Sequence, residues 1–494
     1  MKLMRKMVIV AAVLVLFTAY VAYAAYNHLG DTDSKIFRTT YPGVVGTKLD
    51  SCTTCHSGGS YTSGGRTTTL GSCQWCHYVT NYGEDLSEAT LRKTLNSYGL
   101  AYKDNGRNAA ALQLISSLDS DGDLYTNQAE IVALTYPGDA KDNPTNVPAP
   151  SRIISLKELE DMPLHTQFLL MNASKSDDSY TNYGGVALEN LIKAFKLDSA
   201  TGITVYSPDG FATYHPFYPS TNPNSYHVFG TYPPSIFYYN EQADMATNPS
   251  TGWCNYSSPS AAGRENGDAI FNPDGLKMML AFERDGEYLA PGVLNLQNKL
   301  DGEGPFRIVP PQKNPGPPDQ RSTASNATDP KVWVWPYISS ADHNAGFSSR
   351  TVTMIKVEPL PAGTTDINTL EAGWPYVDEK KIVIYGSIDP DPVENLNTNL
   401  DLLIDAIKSK PDTVFKVKSH KNTLVNKIDA IKRQVAAGAY SGALTKLTED
   451  VLQKMDGYLS GAVDANDWIN DLDVQKQLCS NIQTIWIILV VLGG

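Results

Sequence analysis

The feature that most constrains this chain is a short pattern that occurs twice within residues 51–79. Each copy has two cysteines three positions apart followed directly by a histidine: Cys52-Thr-Thr-Cys55-His56 and Cys73-Gln-Trp-Cys76-His77. Two thiols at this spacing can attach to the two vinyl groups of one haem, and the next residue can ligate its iron. The pattern therefore predicts two c-type haems, with the cysteines as tethers and the two histidines as proximal iron ligands.

A structural zinc site is the main alternative, because two Cys-x2-Cys pairs with 17 residues between them also suit zinc. A four-cysteine zinc site would leave His56 and His77 without a role, whereas two haem sites use all six residues. Outside the cytoplasm, an all-thiolate zinc site would also compete with disulfide formation. Both arguments favour haem over zinc, and over a pair of structural disulfides.

The N-terminus has the features of a cleaved export signal, residues 1–24. Three basic residues precede an apolar run at 7–21, which is shorter than the ~20 residues of a spanning helix. Small residues at 22 and 24 then predict cleavage after Ala24. We expect an exported protein, in the periplasm, on the outer surface or outside the cell, with no stable transmembrane segment after signal cleavage. A retained anchor is the alternative.

The charge balance is acidic, with 40 Lys and Arg against 53 Asp and Glu and a net charge of −13. This balance excludes a nucleic-acid-binding protein, whose binding surface would have to be basic. It suits cationic or mineral partners, or calcium. The length of 494 residues is too great for one core and predicts about three domains.

Residues 25–150 are predicted to form a small α-helical dihaem cytochrome c domain. Helical spacing occurs at 86–98 and 109–118, and the Gly, Ser and Thr content of 57–69 predicts a loop. His28 is the candidate distal ligand of one haem, because it is the only other histidine before residue 165 and an electron-carrying haem usually has a second axial ligand. A solvated histidine near the new N-terminus is the alternative.

An acidic run at 119–130 matches a twelve-residue calcium loop of the EF-hand type. Side-chain oxygens fall at positions 1, 3, 5, 9 and 12 and a backbone carbonyl at position 7: Asp119, Asp121, Asp123, Asn127, Glu130 and Tyr125 respectively. Position 6, normally glycine, is Leu124. Because four carboxylates this close repel one another, we predict bound calcium that holds the end of the haem domain. A solvated turn capping the next helix is the alternative.

Residues 151–392 are predicted to form a mostly-β α+β domain. Four segments occur in order: Ile154-Ser-Leu-Lys-Glu-Leu, Tyr183-Gly-Gly-Val-Ala-Leu-Glu-Asn-Leu-Ile, Thr204-Val-Tyr-Ser-Pro-Asp-Gly and Glu303-Gly-Pro-Phe-Arg-Ile-Val-Pro-Pro. Their order and spacing resemble the molybdopterin-binding domain of the sulfite oxidase type. That family ligates molybdenum through a cysteine where this chain has Leu170-Met171-Asn172-Ala173. The resemblance therefore implies a relative without molybdopterin, and no role is assigned to His215, His227 or His343.

Residues 393–494 are predicted to form an antiparallel helical bundle, from helical periodicity at 396–407, 424–435, 444–455 and 478–489. Residues 439–468 resemble helical modules at the C-termini of secreted bacterial enzymes. The last segment, 485–492, is apolar all round and predicts a buried helix, with a membrane or partner contact as the alternative. Cys254 and Cys479 could pair in an oxidising compartment, but the sequence does not show whether they meet.

Residues 28–150 resemble the secreted multidomain c-type cytochromes of anaerobic, metal-respiring bacteria, which have similar Cys-Gln-Trp-Cys-His-Tyr and Asp-Ser-Asp-Gly-Asp runs. The resemblance implies electron transfer to redox partner proteins or extracellular acceptors. We expect a multidomain α+β protein that carries electrons, and the sequence leaves open whether it is also an enzyme. A haem-linked oxidoreductase whose central domain binds a cofactor or substrate is one alternative, and a surface scaffold or adhesion protein is another.

Overall fold

The computed structural model describes residues 30–56, 59–63, 66–70, 92, 95–173, 178–209, 211–220, 225–232, 237–239, 254–255, 259–265, 268–270, 275–294, 300–313, 343–367 and 373–493. The chain divides into two compact units, residues 1–59 with 72–146 and residues 60–71 with 147–494. The predicted export signal, His28 and the second cysteine pattern (Cys73, Cys76 and His77) lie outside the described residues.

The first unit is helical. Its helices are α1 (Gly30–Thr40), α2 (Ser97–Asp104), α3 (Ala109–Ile115) and α4 (Asn127–Ala133). The last three begin at side-chain caps, because Asn96, Asn108 and Thr126 each accept a hydrogen bond from the N–H three residues on. The helices enclose a small core of buried apolar and aromatic side chains: Phe37, Val44, Leu49, Tyr98, Tyr102, Ala111, Leu112, Ile115, Ile131 and Tyr136.

A hairpin stands where the sequence predicts a loop. Strands β1 (Gly59–Ser63) and β2 (Arg66–Leu70) pair with each other. The loop prediction for 57–69 is wrong because threonine and tyrosine favour strands.

The second unit contains two larger sheets. One has the order β3 (Ser151–Ser155), β17 (Lys381–Gly386), β16 (Met354–Glu358), β6 (Gly202–Tyr206) and β7 (Ala212–Pro216). In this sheet β16 and β17 are parallel and the other neighbours are antiparallel. The other sheet has the order β12 (Glu287–Tyr288), β11 (Met279–Arg284), β5 (Asp178–Ala187) and β4 (Leu164–Met171), with β15 (Arg307–Val309) on β11 and β9 (Cys254–Asn255) on β5.

Two short strand pairs complete the described strands, β8 (Phe237–Tyr238) with β10 (Ala269–Ile270) and β13 (Val293–Leu294) with β14 (Leu300–Asp301). The helices of this unit are α5 (Leu156–Glu160), α6 (Leu188–Phe195), α7 (Trp374–Asp378), α8 (Val393–Ser409), α9 (Lys418–Ala436), α10 (Tyr440–Thr445) and α11 (Leu472–Val491). A π-helical segment, Lys446–Val451, continues α10. The protein is therefore a mixed α/β molecule.

Helix α11 joins the C-terminal helices to the sheets. It packs against both α8 and α6, and its last turns, including Ile485 and Ile488, are fully buried. A helix that is apolar all round has to be covered on every side, and one core cluster accordingly includes Ile154 of β3, Leu191 of α6 and Leu400 of α8. The segments 151–392 and 393–494, predicted as separate domains, thus lie in one compact unit. Among the described residues, no helix has the length and hydropathy needed to cross a bilayer.

Candidate functional site in the first unit

The first cysteine pattern forms a single tight turn. A 3-10 segment spans Cys52–Thr54, and the N–H groups of Cys55 and His56 donate to the Cys52 carbonyl at 3.2 and 3.0 Å. Side chains three positions apart eclipse one another in such a turn. Cys52 is exposed, whereas Cys55 and His56 are half-buried. One backbone turn therefore presents both sulfurs and the imidazole.

Asn96 holds this turn in place. It is 8% exposed, and its Nδ2 donates to the carbonyls of Thr53 and Thr54 at 3.4 and 3.1 Å. Its N–H donates to the Cys55 carbonyl at 3.0 Å, and its Oδ1 caps α2 by accepting the N–H of Gly99 at 2.8 Å. The spacing of the cysteine pattern does not predict the role of Asn96, although an asparagine directly before a helix is a typical N-cap signal.

The surroundings of Cys55 fit an attached group. Cys55 packs against the core that contains Tyr98, and Tyr98 Oη is buried without a hydrogen-bond partner among the described residues. A Cβ on Gly99 would lie 2.0 Å from the Cys55 carbonyl oxygen, so α2 approaches the turn very closely. Two sulfurs, an adjacent imidazole and an unused buried hydroxyl are donors that suit covalent haem. Burial, followed by Asp33, raises the pKa of the Cys55 thiol to about 12.

The two cysteines outside the patterns have different surroundings. Cys254 begins β9. Cys479 is buried in α11, where its Sγ donates to the Met455 carbonyl at 3.4 Å. Cys479 therefore has a place in the core of the second unit that needs no function to explain it.

The acidic loop is shaped by Asp119. Its carboxylate accepts the N–H groups of Gly122, Asp123 and Leu124 at 2.7, 3.2 and 2.9 Å, and the N–H of Leu124 is the main cause of its lowered pKa. Asp123 Oδ1 accepts the N–H of Tyr125 at 2.8 Å. Leu124, at the position where calcium loops usually have glycine, adopts a φ of 82° and is 91% exposed. The sharp turn therefore forms, with strain at Leu124.

The acidic loop contains several buried oxygen atoms that have no hydrogen-bond partner in the described part of the chain. Oxygen atoms of Asp119, Asp121 and Asp123 lie within 4.8 Å of one another. Among the described residues, both carboxylate oxygens of Asp121 and of Glu130, with Asp123 Oδ2 and Asn127 Oδ1, have no hydrogen-bond partner. Burial and the neighbouring Asp121, Asp123 and Asp119 raise the pKa of Glu130 to about 9. Burial and Asp123 raise the pKa of Asp121 to about 6. The loop therefore lacks a positive charge.

Glu130 and Asn127 are both fully buried, which separates this loop from an ordinary acidic surface turn. The Asn127 side chain donates from Nδ2 to the Ile115 carbonyl at 2.7 Å and to Ser120 Oγ at 2.9 Å. These two bonds fix the amide, so its Oδ1 remains available to a ligand.

A second acidic cluster, Asp456, Asp464 and Asp467 in the second unit, differs in this respect. Asp467 is 1% exposed, but its carboxylate accepts the N–H groups of Gly457 at 3.3 Å and Asp464 at 2.7 Å. Asp464 Oδ1 accepts the N–H groups of Asn466 and Asp467. Backbone donors thus satisfy the carboxylates of Asp464 and Asp467.

The end of β4, where the resemblance to the sulfite oxidase type would place a metal-binding cysteine, is closed by an amide. Asn344 is fully buried, and its Nδ2 donates to the carbonyls of Leu170 and Pro310 at 3.0 and 3.3 Å. Its Oδ1 accepts the N–H of Asn172 at 2.8 Å. The strand end is therefore tied to the neighbouring chain and offers no thiolate.

The Glu303–Arg307 segment forms a paired charge network. Arg307 Nη1 donates to Glu303 Oε2 at 2.6 Å and to Tyr183 Oη at 2.9 Å, and Arg284 Nη1 donates to Glu303 Oε1 at 2.7 Å. Arg307 is 8% exposed. Asp285 Oδ2 also lies 3.9 Å from Arg284 Nε, so two carboxylates face two guanidinium groups, and the network ties β11, β5 and β15 together.

Each of the three histidines of this unit that were given no role has its own local environment. His215 is fully buried, its Nδ1 is 3.2 Å from the Tyr226 carbonyl, and burial lowers its pKa to about 4. The ring of His227 packs on Tyr232. His343 precedes a short 3-10 turn, Asn344–Phe347.

Comparisons with family models, with curated proteins and with solved structures found no match for this chain.

Proposed function

We propose that this protein is an exported dihaem c-type cytochrome that transfers electrons in the cell envelope or outside the cell. The observation that carries the proposal is the repeated Cys-x2-Cys-His pattern, whose first copy forms one turn with both sulfurs and the imidazole together. The buried Tyr98 hydroxyl, which has no hydrogen-bond partner among the described residues and lies in the core against which Cys55 packs, supports it.

In this proposal the chain supplies attachment and orientation. Cys52 and Cys55 tether one haem and His56 ligates its iron, while Cys73, Cys76 and His77 do the same for the other. Each haem, when bound, supplies a one-electron iron couple. Asn96 keeps the first turn in a fixed shape by holding three of its backbone carbonyls. A fixed ligand geometry favours electron transfer because little reorganisation accompanies the change of charge.

Haem stain intensity and metal content per chain test this proposal. The mature protein, produced with haem maturation, should retain two haems after denaturation in alkaline pyridine, with two irons per chain. A variant with Cys52→Ala and Cys55→Ala should retain one haem, and so should a variant with Cys73→Ala and Cys76→Ala.

Metal content per chain separates two of the alternatives, and a cellular assay separates the third. One zinc and no haem per chain would overturn the proposal in favour of a structural site. Stoichiometric molybdenum would favour the haem-linked oxidoreductase. Haem retained in a protein whose His56→Ala and His77→Ala variants keep the full cellular phenotype would favour the scaffold or adhesion role.

For the second unit, we propose that residues 151–392 are a cofactor-free relative of the sulfite oxidase type and that residues 393–494 form a helical module attached to it. The amide closure by Asn344 and the paired Glu303–Arg307 network support this assignment.

We further propose that the acidic loop binds a divalent cation, calcium in the exported setting. The observation that carries this proposal is Glu130, which is fully buried with both carboxylate oxygens unpartnered among the described residues and with Asp121 and Asp123 beside it. Calcium takes six to eight oxygen ligands and tolerates irregular geometry. Asp121, Asp123, Asn127 and Glu130 would supply side-chain oxygens.

Calorimetric titration of the metal-depleted full chain with CaCl2 and with MgCl2 tests the site. Wild type should bind one calcium, and Asp121→Asn should weaken binding by at least tenfold. Asp464→Asn is the matched control, because it makes the same charge change in an acidic cluster that backbone donors satisfy. Wild type without a calcium heat, or equal loss of affinity in both variants, would overturn the proposal.

A further inference from the structure

The segment that follows α4 is hydrogen-bonded to the backbone of Glu130, the last of the proposed cation ligands. Helix α4 ends at Leu134, which adopts a left-handed φ of 61°. The next residue, Thr135, donates from both its N–H and its Oγ1 to the Glu130 carbonyl, at 2.9 and 3.3 Å. We call residues 135–142 the strap. A movement of the Glu130 backbone therefore also moves the first residue of the strap.

The strap then binds the chain that leads into the cysteine turn. Tyr136 is 2% exposed, and its Oη donates to the Lys48 carbonyl at 3.3 Å. Asp142 accepts the N–H of Tyr136 at 2.9 Å and pairs with Lys48 Nζ at 2.8 Å. The next residue, Leu49, is fully buried, and its carbonyl accepts Thr54 Oγ1 at 2.8 Å. The turn is thus two hydrogen-bonded steps from the strap.

The strap has a second contact, through Asn96. A Cβ on Gly138 would lie 2.5 to 2.7 Å from the side-chain atoms of Asn96, so only glycine fits there without displacement. Asn96 is the residue whose Nδ2 holds the carbonyls of Thr53 and Thr54. Strap, Asn96 and cysteine turn form one packed stack inside the first unit.

We infer that cation binding at the acidic loop stabilises the Cys52–His56 turn through the strap, so that the local stability of this haem-attachment turn depends on calcium. This inference rests on the proposed cation site. Without a cation, both side-chain oxygens of the buried Glu130 have no hydrogen-bond partner among the described residues, so opening of the loop to water is favoured. With a cation, Glu130 stays inside, α4 keeps its last turn, and the strap remains seated on Lys48 and Asn96.

Hydrogen–deuterium exchange of the haem-matured full chain, with calcium and with a chelator, tests this coupling. In wild type, calcium should slow exchange roughly tenfold or more both at 119–130 and at 44–56, and should leave α9 (Lys418–Ala436) in the second unit unchanged. Gly138→Ala should unseat the strap, so calcium should still protect 119–130 but lose most of its effect at 44–56. Gly43→Ala is the matched control, because its Cβ would meet nothing within 4 Å.

Tyr136→Phe provides a milder second variant, since it removes the hydroxyl that donates to Lys48 and keeps the ring. It should reduce the calcium effect at 44–56 without loss of folding. Calcium protection at 119–130 alone in wild type, or full protection of 44–56 in both strap variants, would overturn the coupling and leave the cation site intact. No calcium effect at either segment would overturn the cation site as well. Absence of haem would overturn the electron-carrier proposal, while exchange at 44–56 would still report on the turn.

Discussion

Replacement of Glu130 by glutamine should stabilise the cation-free protein and remove its response to calcium. Glu130 is fully buried, and its carboxylate has no partner in the part of the chain that the structure describes. Burial and the adjacent aspartates raise its pKa from 4.5 to about 9. At neutral pH the cation-free protein therefore folds with this group protonated, whereas the unfolded chain ionises it.

The free-energy difference follows from that pKa. A carboxyl group whose pKa is raised by folding contributes full stability below pH 4.5, and this stability is lost as the pH rises towards about 9. From pH 4.5 to 7 the loss is 1.36 kcal/mol per pH unit, about 3.4 kcal/mol, which solvent screening at the loop lowers to about 2–3 kcal/mol. Glutamine binds no proton and avoids this loss. The unfolding temperature of the cation-free first unit should rise by roughly 10 °C.

In calcium, the wild type should be more stable than the Glu130→Gln variant, the reverse of the order in chelator. An ion at a hundredfold excess over its dissociation constant adds about 2.7 kcal/mol to the wild type, and it also removes the need to protonate Glu130. The Glu130→Gln variant offers one neutral oxygen in place of a carboxylate and should gain little. The result is a crossing of stabilities between chelator and calcium.

Differential scanning calorimetry of the full chain at pH 7, in chelator and in calcium, measures this crossing. Glu287→Gln is the matched control, since it makes the same charge change at an exposed position of the second unit. A Glu130→Gln protein that is less stable than wild type in chelator, or that keeps the wild-type calcium response, would refute the reasoning.

Three further predictions concern single side chains. Burial lowers the pKa of His215 from 6.5 to about 4, so the free energy of unfolding should fall by about 3 kcal/mol as the pH drops between these values. His215→Asn should flatten this pH dependence in urea titrations, and an unchanged slope would contradict the role of His215. Glu303→Gln leaves the buried Arg307 without its carboxylate and should lower the free energy of unfolding by about 3 kcal/mol, seen as a lower urea midpoint. An unchanged midpoint would mean that the network does not stabilise the fold. Asn96→Ala should lower the free energy of unfolding by about 2–3 kcal/mol and speed hydrogen exchange at 44–56. Wild-type exchange at 44–56 in this variant would contradict the role of Asn96 in holding the cysteine turn.

Local spacing predicted much of the C-terminal half. The periodicities at 396–407, 424–435 and 478–489 correspond to α8, α9 and α11, because one turn of helix repeats within four residues and depends on nothing distant. Residues 185–195 also have helical spacing, but the helix there begins only at Leu188, since residues 185–187 pair with β11 as part of β5. Glycine, valine and alanine at those positions fit either structure, and the pairing partner is a hundred residues away.

By itself the sequence determined the chemistry available: two Cys-x2-Cys-His patterns, and an acidic run at calcium-loop spacing whose sixth position is Leu124. These features lie within a few residues and are set by the order of side chains. Only the tertiary structure decided that Glu130 is buried without a partner, that Asn96 and Gly138 stack against the cysteine turn, and that α11 joins the helices to the sheets in one core. Burial and packing depend on which distant segments come into contact, and local spacing along the chain does not specify those contacts.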